Sequence, residues 1–238
     1  MSAIAEGAPG HTPGVTGQIV WPAPVQAVLF DLDGTLADTA GDLGGAVNVL
    51  RVREGLPPMA LELLRPHASA GARGLLGVGM NLFPGDERYE AMRLAFLDAY
   101  LECLADTTAL FPGMAEVLTT LETRGMPWGV VTNKPHRFTV PVMEGLKLMQ
   151  RSRTTISGDT TAHAKPHPLP LLTAAEQLGV SPSRTLYVGD DLRDIQAAQS
   201  AGMPSAAAAW GYLGTAHEVH HWGASVICQQ PLDLLKVL

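Results

Sequence analysis

The sequence predicts an α/β fold, a doubly wound parallel sheet that carries an inserted helical segment. From residue 111 onward, short apolar segments alternate with segments of helical periodicity, which is the pattern of parallel strands joined by helical crossovers. Residues 25–30 are mostly apolar and β-branched, as in a strand that is buried on both faces. Between 42 and 104, apolar residues recur at helical spacing without a convincing strand, so this part is predicted to be the helical insert.

The predicted elements divide the chain into three parts. Strands are predicted at 25–30, 128–131, 154–157, 185–188, 205–209 and 224–228. Helices are predicted at 42–53, 69–80, 86–104, 114–124, 138–148, 169–178, 191–200 and 231–238, with Asp42 as an N-cap. We therefore expect a flexible extension at 1–24, a core domain formed by 25–40 and 108–238, and a helical domain at 41–107.

Composition excludes several kinds of partner and compartment. The 16 basic and 23 acidic residues give a formal net charge of −7, which disfavours binding to nucleic acid or anionic lipid. No apolar run reaches the length of a membrane span, and 1–24 lacks the features of a secretory signal. Two isolated cysteines fit a reducing compartment. We expect a cytoplasmic protein without nucleic-acid or membrane partners.

Polar side chains follow the predicted strands at the points where those strands end. Since the carboxyl ends of parallel strands share one edge of a sheet, these side chains are expected to meet there. Carboxylate oxygens suit Mg²⁺, and an ammonium group complements a bound phosphate. The residues concerned are Asp31, Asp33, Thr132, Asn133, Lys165, Asp190 and Asp191.

Four segments in this order resemble the four motifs of the haloacid dehalogenase superfamily. They are Asp31-Leu32-Asp33-Gly34-Thr35-Leu36, Val130-Val131-Thr132-Asn133, Lys165-Pro166 and Gly189-Asp190-Asp191-Leu192-Arg193-Asp194. The resemblance spans residues 25–238. It implies a Rossmann-like core and a phosphoric monoester hydrolase.

The resemblance implies a catalytic role for Asp31, Asp33, Thr132 and Lys165, and a substrate-binding role for Thr132 and Asn133. Asp31 would attack phosphorus and form an aspartyl-phosphate, and Asp33 would protonate the leaving alcohol and then activate water. Thr132 and the amide of Asn133 would bind the phosphoryl oxygens, while Lys165 would offset their charge.

A magnesium ion is implied in the same way. Its protein ligands would be Asp31, the backbone carbonyl of Asp33, and Asp190. Either Asp191 or Asp194 would support the ion, and Asp191 is equally well explained as a helix cap.

The helical insert resembles a type-one cap, a lid that closes over the site. Arg73 lies at a helix start rich in small residues. It is a candidate to bind the substrate by donating hydrogen bonds to a carboxylate or a sugar oxygen. An ordinary surface arginine explains this position equally well. The segment 42–104 contains no lysine, which argues against the Schiff-base chemistry of a phosphonatase.

Within the superfamily, the chain resembles bacterial phosphoglycolate phosphatase-like proteins. Stretches at 69–73, 128–135 with 137–138, 189–195, and 210–212 with 222–224 resemble the branch that includes N-acetylmuramic acid 6-phosphate phosphatase. The implied partner is a small phosphorylated metabolite, either 2-phosphoglycolate or the sugar phosphate, acted on by a monomer or homodimer. The alternatives are a phosphomutase of β-phosphoglucomutase type, and a non-catalytic protein that binds a phosphorylated metabolite.

Overall fold

The structure is a computed structural model that describes residues 21, 23–214 and 218–238. The predicted extension at 1–24 therefore lies almost wholly outside the described residues. None of the helices in the described ranges is long and apolar enough to cross a bilayer.

A parallel sheet forms the centre of the molecule. The strands in the described ranges are β1 (Ala27–Phe30), β2 (Ala37–Asp38), β3 (Ala109–Leu110), β4 (Trp128–Val131), β5 (Thr155–Ile156), β6 (Thr185–Gly189), β7 (Ser205–Ala208) and β8 (Val226–Cys228). Six of them form the parallel sheet, in the order β5-β4-β1-β6-β7-β8, whereas β2 and β3 form a separate pair. From β1 the chain builds the sheet first toward β5 and later toward β8. The order therefore reverses between β1 and β6, the place where open α/β sheets bind ligands.

Helices flank both faces of this sheet and also fill the insert. They are α1 (Ala40–Arg53), α2 (Leu61–Leu64), α3 (Gly71–Met80), α4 (Tyr89–Glu102), α5 (Met114–Thr123), α6 (His136–Gly145), α7 (Leu169–Leu178), α8 (Leu192–Ala201) and α9 (Leu234–Val237). Short 3₁₀ turns lie at Arg65–Ala70, Pro182–Arg184, Val219–His221 and Pro231–Asp233. The predicted doubly wound α/β fold is confirmed.

Strand β1 shows why the central strands are apolar throughout. Val28 and Phe30 pack in a core shared with the helices of the insert and with α5 and α6, whereas Leu29 packs with α7 and α8 on the opposite face. All four residues of the strand are fully buried. A strand covered on both faces needs apolar residues at every position.

Two short elements at the ends of the insert were not predicted. Strands β2 and β3 pair antiparallel, with Ala37 opposite Leu110 and Asp38 opposite Ala109. Two residues are too few to show the alternation that identifies a strand. The pair joins the start and the end of the helical insert.

The prediction of Asp42 as an N-cap is wrong. Helix α1 begins at Ala40, with Thr39 in the capping position, and Asp42 lies buried in the first turn. Its carboxylate accepts hydrogen bonds from the Thr107 amide at 2.8 Å, from the Thr108 hydroxyl at 2.6 Å and from the Thr107 hydroxyl. Aspartate is favoured both at the cap and in the first turn, so the sequence did not separate the two positions.

Candidate active site

The ends of β1, β4 and β6 place polar residues beside one another. Phe30, the last residue of β1, is in register with Val130 on one side and Val188 on the other. The residues that follow these strands meet at a cavity of about 220 Å³, which Asp31 and Thr132 line. The predicted meeting of these side chains at one edge of the sheet is thus observed.

Lys165 reaches this edge from the loop after β5 and is almost fully buried. Its ammonium lies 2.8 Å from both Asp31 Oδ1 and Asp194 Oδ1, and donates to the Val131 carbonyl at 2.9 Å. Burial disfavours the charged ammonium, but the carboxylates of Asp194 and Asp31 outweigh it and raise the pKa of Lys165. The site therefore holds a permanent positive charge against Asp31.

Three buried carboxylates form a cluster around this lysine. Ligand oxygens of Asp31, Asp190 and Asp194 lie within 4.8 Å of one another. Burial, offset by Lys165 and reinforced by the charge of Asp194, raises the pKa of Asp31 from 3.8 to about 7. Burial and the neighbouring carboxylates also raise the pKa of Asp190 well above its ordinary value. The three carboxylates repel one another, and a metal cation that replaced their protons would relieve this repulsion, so the cluster is able to hold one.

Asp190 is fixed by donors from both the core and the insert. Its carboxylate accepts from Thr35 Oγ1 at 3.1 Å, from the Tyr212 amide at 2.8 Å and from Ser69 Oγ of the insert at 3.3 Å. Gly34 has a φ of +86°, and a Cβ at this position would collide with the Asp190 carboxylate. Glycine is therefore needed at this position of the first motif.

Asp33 does not belong to the carboxylate cluster, although it lines the same cavity. Its Oδ1 accepts from Thr39 Oγ1 at 2.5 Å and from the ammonium of Lys134 at 2.8 Å. Burial alone would lower the pKa of Lys134, but the neighbouring Asp33 carboxylate outweighs it and raises the pKa of Lys134 above the ordinary value. The sequence analysis missed Lys134, although its position directly after Thr132 and Asn133 in the second motif was a usable signal.

Thr132 and Asn133 both line the cavity. The Thr132 hydroxyl accepts from the Lys134 amide at 3.1 Å. The Asn133 side chain binds both backbone groups of Lys165, donating to its carbonyl and accepting from its amide, each at 2.9 Å. Asn133 thus orients the loop that carries the lysine.

The structure separates the two candidates for support of a metal. Asp191 caps α8, accepting from the Arg193 amide at 2.9 Å and from its guanidinium at 2.8 Å. Although burial acts the other way, these bonds lower the pKa of Asp191. Asp194 is the residue in the carboxylate cluster, and its other oxygen accepts from the Asp191 amide at 3.0 Å.

Arg73 lies outside this cavity. Helix α3 buries Leu75, Leu76 and Gly79. Ala72 lies three positions before Leu75, on the same face of the helix, and lines the cavity, whereas Arg73 is exposed. Arg73 lines a second, wider cavity of about 690 Å³ between the insert and the core. The structure does not bring Arg73 to the cavity that Asp31 lines, and its role in substrate binding stays a prediction.

The sheet topology and the buried cluster define the class of protein, an α/β enzyme with its reacting groups at the strand ends. The chain belongs to the haloacid dehalogenase-like hydrolase family, whose model matches residues 28–208.

Relatives and a solved structure extend this similarity over most of the chain. The chain is 42% identical over 214 residues to the N-acetylmuramic acid 6-phosphate phosphatase of Pseudomonas aeruginosa, which covers 90% of this chain and 95% of that protein. It is 45% identical over 209 residues to a phosphoglycolate phosphatase of Xanthomonas campestris pv. campestris, covering 88% and 94%. A crystal structure from Haemophilus somnus 129pt, described as a predicted phosphoglycolate phosphatase, matches with a TM-score of 0.79 and 26% identity, covering 91% of this chain and 99% of that chain. The expected membership of this superfamily is confirmed.

Proposed function

We propose that this chain is a phosphatase that hydrolyses a small phosphate monoester in the presence of Mg²⁺, through a phosphoryl group carried on Asp31. The observation that carries the proposal is the 2.8 Å contact between the Lys165 ammonium and Asp31 Oδ1 at the wall of the cavity. A carboxylate is a poor nucleophile toward an anionic phosphate unless positive charge offsets their repulsion. Relatives over nine tenths of the chain are named phosphatases, which supports a phosphoric monoester hydrolase.

In the first step an Asp31 oxygen bonds to phosphorus while the ester P–O bond breaks. The leaving oxygen takes a proton from Asp33, whose carboxyl group lines the same cavity. Lys165, the Thr132 hydroxyl and the Asn133 amide hold the phosphoryl oxygens. The products are the free alcohol and a phosphorylated Asp31.

In the second step a water oxygen bonds to the same phosphorus and the bond to Asp31 breaks. Asp33, left ionised by the first step, takes the proton from this water. Phosphate leaves, and both carboxyl groups return to their starting states.

Magnesium fits the donor set because the cluster offers carboxylate oxygens whose mutual repulsion a divalent cation would offset. We assign Asp31, Asp190 and the backbone carbonyl of Asp33 to the ion, with Asp194 as the supporting carboxylate. When bound, Mg²⁺ supplies positive charge that offsets the phosphate and the ionised aspartates. Lys165 and the hydrogen bonds to Asp190 keep these carboxylates in place.

The helical insert, 41–107, acts as the cap of this site. Phe96 and Tyr100 of α4 form part of the cavity wall, and Arg193 of the core donates to the Ser69 carbonyl at 2.8 Å. A closed insert excludes bulk water during the first step and limits the size of the leaving group. The cavity of about 220 Å³ is smaller than the ~300–1,000 Å³ typical of sites for drug-sized ligands, which favours a small substrate.

The two candidate substrates are 2-phosphoglycolate and N-acetylmuramic acid 6-phosphate. The test compares kcat/KM for both, with Mg²⁺ and with a chelator, in the wild type, Asp31→Asn and the exposed control Asp98→Asn. We expect Mg²⁺-dependent release of phosphate that is lost in Asp31→Asn and kept in the control. Release that survives Asp31→Asn, or conversion of a phosphosugar to an isomer without free phosphate, would contradict the proposal.

A further inference from the structure

Outside the carboxylate cluster, part of the cavity lining combines apolar side chains with two polar groups. Leu43, Phe96 and Phe138 provide the apolar surface, and Tyr100 and Lys134 provide the polar atoms. None of these five side chains has a role in the steps above. They line the same cavity as Asp31 and Asp33, so a leaving group held in that cavity would contact them.

Tyr100 presents a hydroxyl whose proton has no acceptor in the part of the chain that the structure describes. The residue is 2% exposed, and its ring packs against Phe96 and Phe138, with centroids 6.3 and 5.5 Å away. Among the residues that the structure describes, its oxygen has no hydrogen-bond partner. Burial raises the pKa of Tyr100 to about 12, so the phenol remains a donor. A buried phenol without an acceptor is costly and implies a ligand atom.

Lys134 is the second donor at this wall. Its ammonium lies 2.8 Å from Asp33 Oδ1 and 4.7 Å from the centre of the Tyr100 ring. An ammonium has three protons to donate and accepts none, so it cannot take the proton of the Tyr100 hydroxyl. Within the described ranges, the ammonium donates to Asp33 at ordinary hydrogen-bond distance, and the nearby Tyr100 oxygen also favours its charged form. Donors of both residues therefore remain available to a ligand.

We propose that Lys134 and Tyr100 together bind a carboxylate of the leaving group and so determine which phosphate monoesters are accepted. This inference rests on the proposed phosphatase function and names its substrate class. Two adjacent donors, one of them cationic and both buried, are complementary to an anionic group with two acceptor oxygens. Carboxylate recognition thus falls to Tyr100 of the insert and Lys134 of the core, in place of the exposed Arg73.

The position of Lys134 also limits where that carboxylate lies in the substrate. Asp33 donates its proton to the ester oxygen, and Lys134 contacts Asp33 directly. We therefore place a carboxylate bound by Lys134 near the ester oxygen, on the ester carbon or on its neighbour. The class is that of small 2- or 3-hydroxy acids phosphorylated on the hydroxyl, with Phe96 and Phe138 against their carbon chain.

The test measures binding to a form that does not turn over. Isothermal titration calorimetry with Mg²⁺ compares 2-phosphoglycolate with ethyl phosphate, which lacks the carboxylate, in an Asp31→Asn background. Tyr100→Phe removes the hydroxyl and keeps the packed ring. Tyr89→Phe is the matched control, because Tyr89 lies on the same helix α4 and is buried without lining the cavity.

We expect Tyr100→Phe to weaken binding of 2-phosphoglycolate about 10-fold or more, the loss typical of a hydrogen bond to a charged group. Ethyl phosphate should change less than about 2-fold, and Tyr89→Phe should leave both ligands unaffected. Equal losses for the two phosphates, an unchanged affinity for 2-phosphoglycolate, or no binding of either ligand would overturn the proposal. If the discrimination is found but the wild type releases no phosphate, the recognition pair stands and the phosphatase function fails.

Discussion

The ammonium of Lys165 lies 2.8 Å from Oδ1 of Asp31, a residue 134 positions earlier in the sequence. Both side chains are buried, and the same ammonium is 2.8 Å from Asp194. Removal of this lysine would be costly, because the buried carboxylates of Asp31 and Asp194 would both lose the positive charge that compensates them.

The first prediction concerns this lysine. Lys165→Met should lower kcat/KM at least about 100-fold, since it removes the positive charge that offsets the repulsion between Asp31 and phosphate. Steady-state kinetics measures the change. The control is Lys147→Met, an exposed lysine. Activity within tenfold of wild type in Lys165→Met would contradict the role given to this residue.

The second prediction separates Asp194 from Asp191. Asp194→Asn should weaken Mg²⁺ binding about 10- to 100-fold, as does loss of a group that supports metal ligands. Asp191→Asn should leave Mg²⁺ affinity within about threefold and cost about 1 kcal/mol of unfolding free energy, the usual cost of a weakened cap. Calorimetric titration of Mg²⁺ and urea unfolding measure the two effects. The reverse pattern would move the metal support to Asp191.

The third prediction concerns pH. The folded pKa of Asp31, about 7, exceeds its ordinary value of 3.8, so the folded state binds this proton more tightly than the unfolded state. The contribution of this proton to the free energy of unfolding is full below pH 3.8 and is lost as the pH rises through about 7. Bound Mg²⁺ reverses this loss, and the rise in Tm caused by Mg²⁺ should therefore be larger at pH 8 than at pH 6.

Thermal unfolding with Mg²⁺ and with a chelator checks this dependence. Asp31→Asn, which has no proton to lose at that position, should show a smaller difference between the two pH values. A Mg²⁺ effect that is equal at both pH values in the wild type would count against the raised pKa of Asp31.

The fourth prediction concerns the junction of the insert. Asp42→Ala should lower the free energy of unfolding by about 3 kcal/mol, because the donors of Thr107 and Thr108 lose a buried charged acceptor. Asp98→Ala, on the exposed face of α4, is the control and should change it by less than about 0.5 kcal/mol. A loss of under 1 kcal/mol in Asp42→Ala would show that this contact does not hold the end of the insert.

The sheet and most of the site were predictable because both depend on patterns local to each strand. The apolar run before Asp31 and the polar residues after it occur within one short segment, and parallel strands bring such segments to a common edge. The strand pair β2–β3 was missed because two residues carry no periodicity.

Roles that depend on contacts between distant segments were harder to predict. The proposed role of Lys134 depends on Tyr100 of the insert, whose ring centre lies 4.7 Å from the Lys134 ammonium. Arg73 had a suitable side chain, but the face of α3 that packs inward does not include it. The expected oligomeric state and cytoplasmic location stay predictions.

The most direct test of the central claim is to identify the phosphorylated residue. Wild-type protein is mixed with substrate and Mg²⁺, quenched in acid and reduced with borohydride, which converts an aspartyl-phosphate to homoserine. The account predicts homoserine at position 31 in peptide mass spectrometry, and none in protein treated without substrate. Release of phosphate without modification of Asp31, or modification of a different residue, would contradict the account.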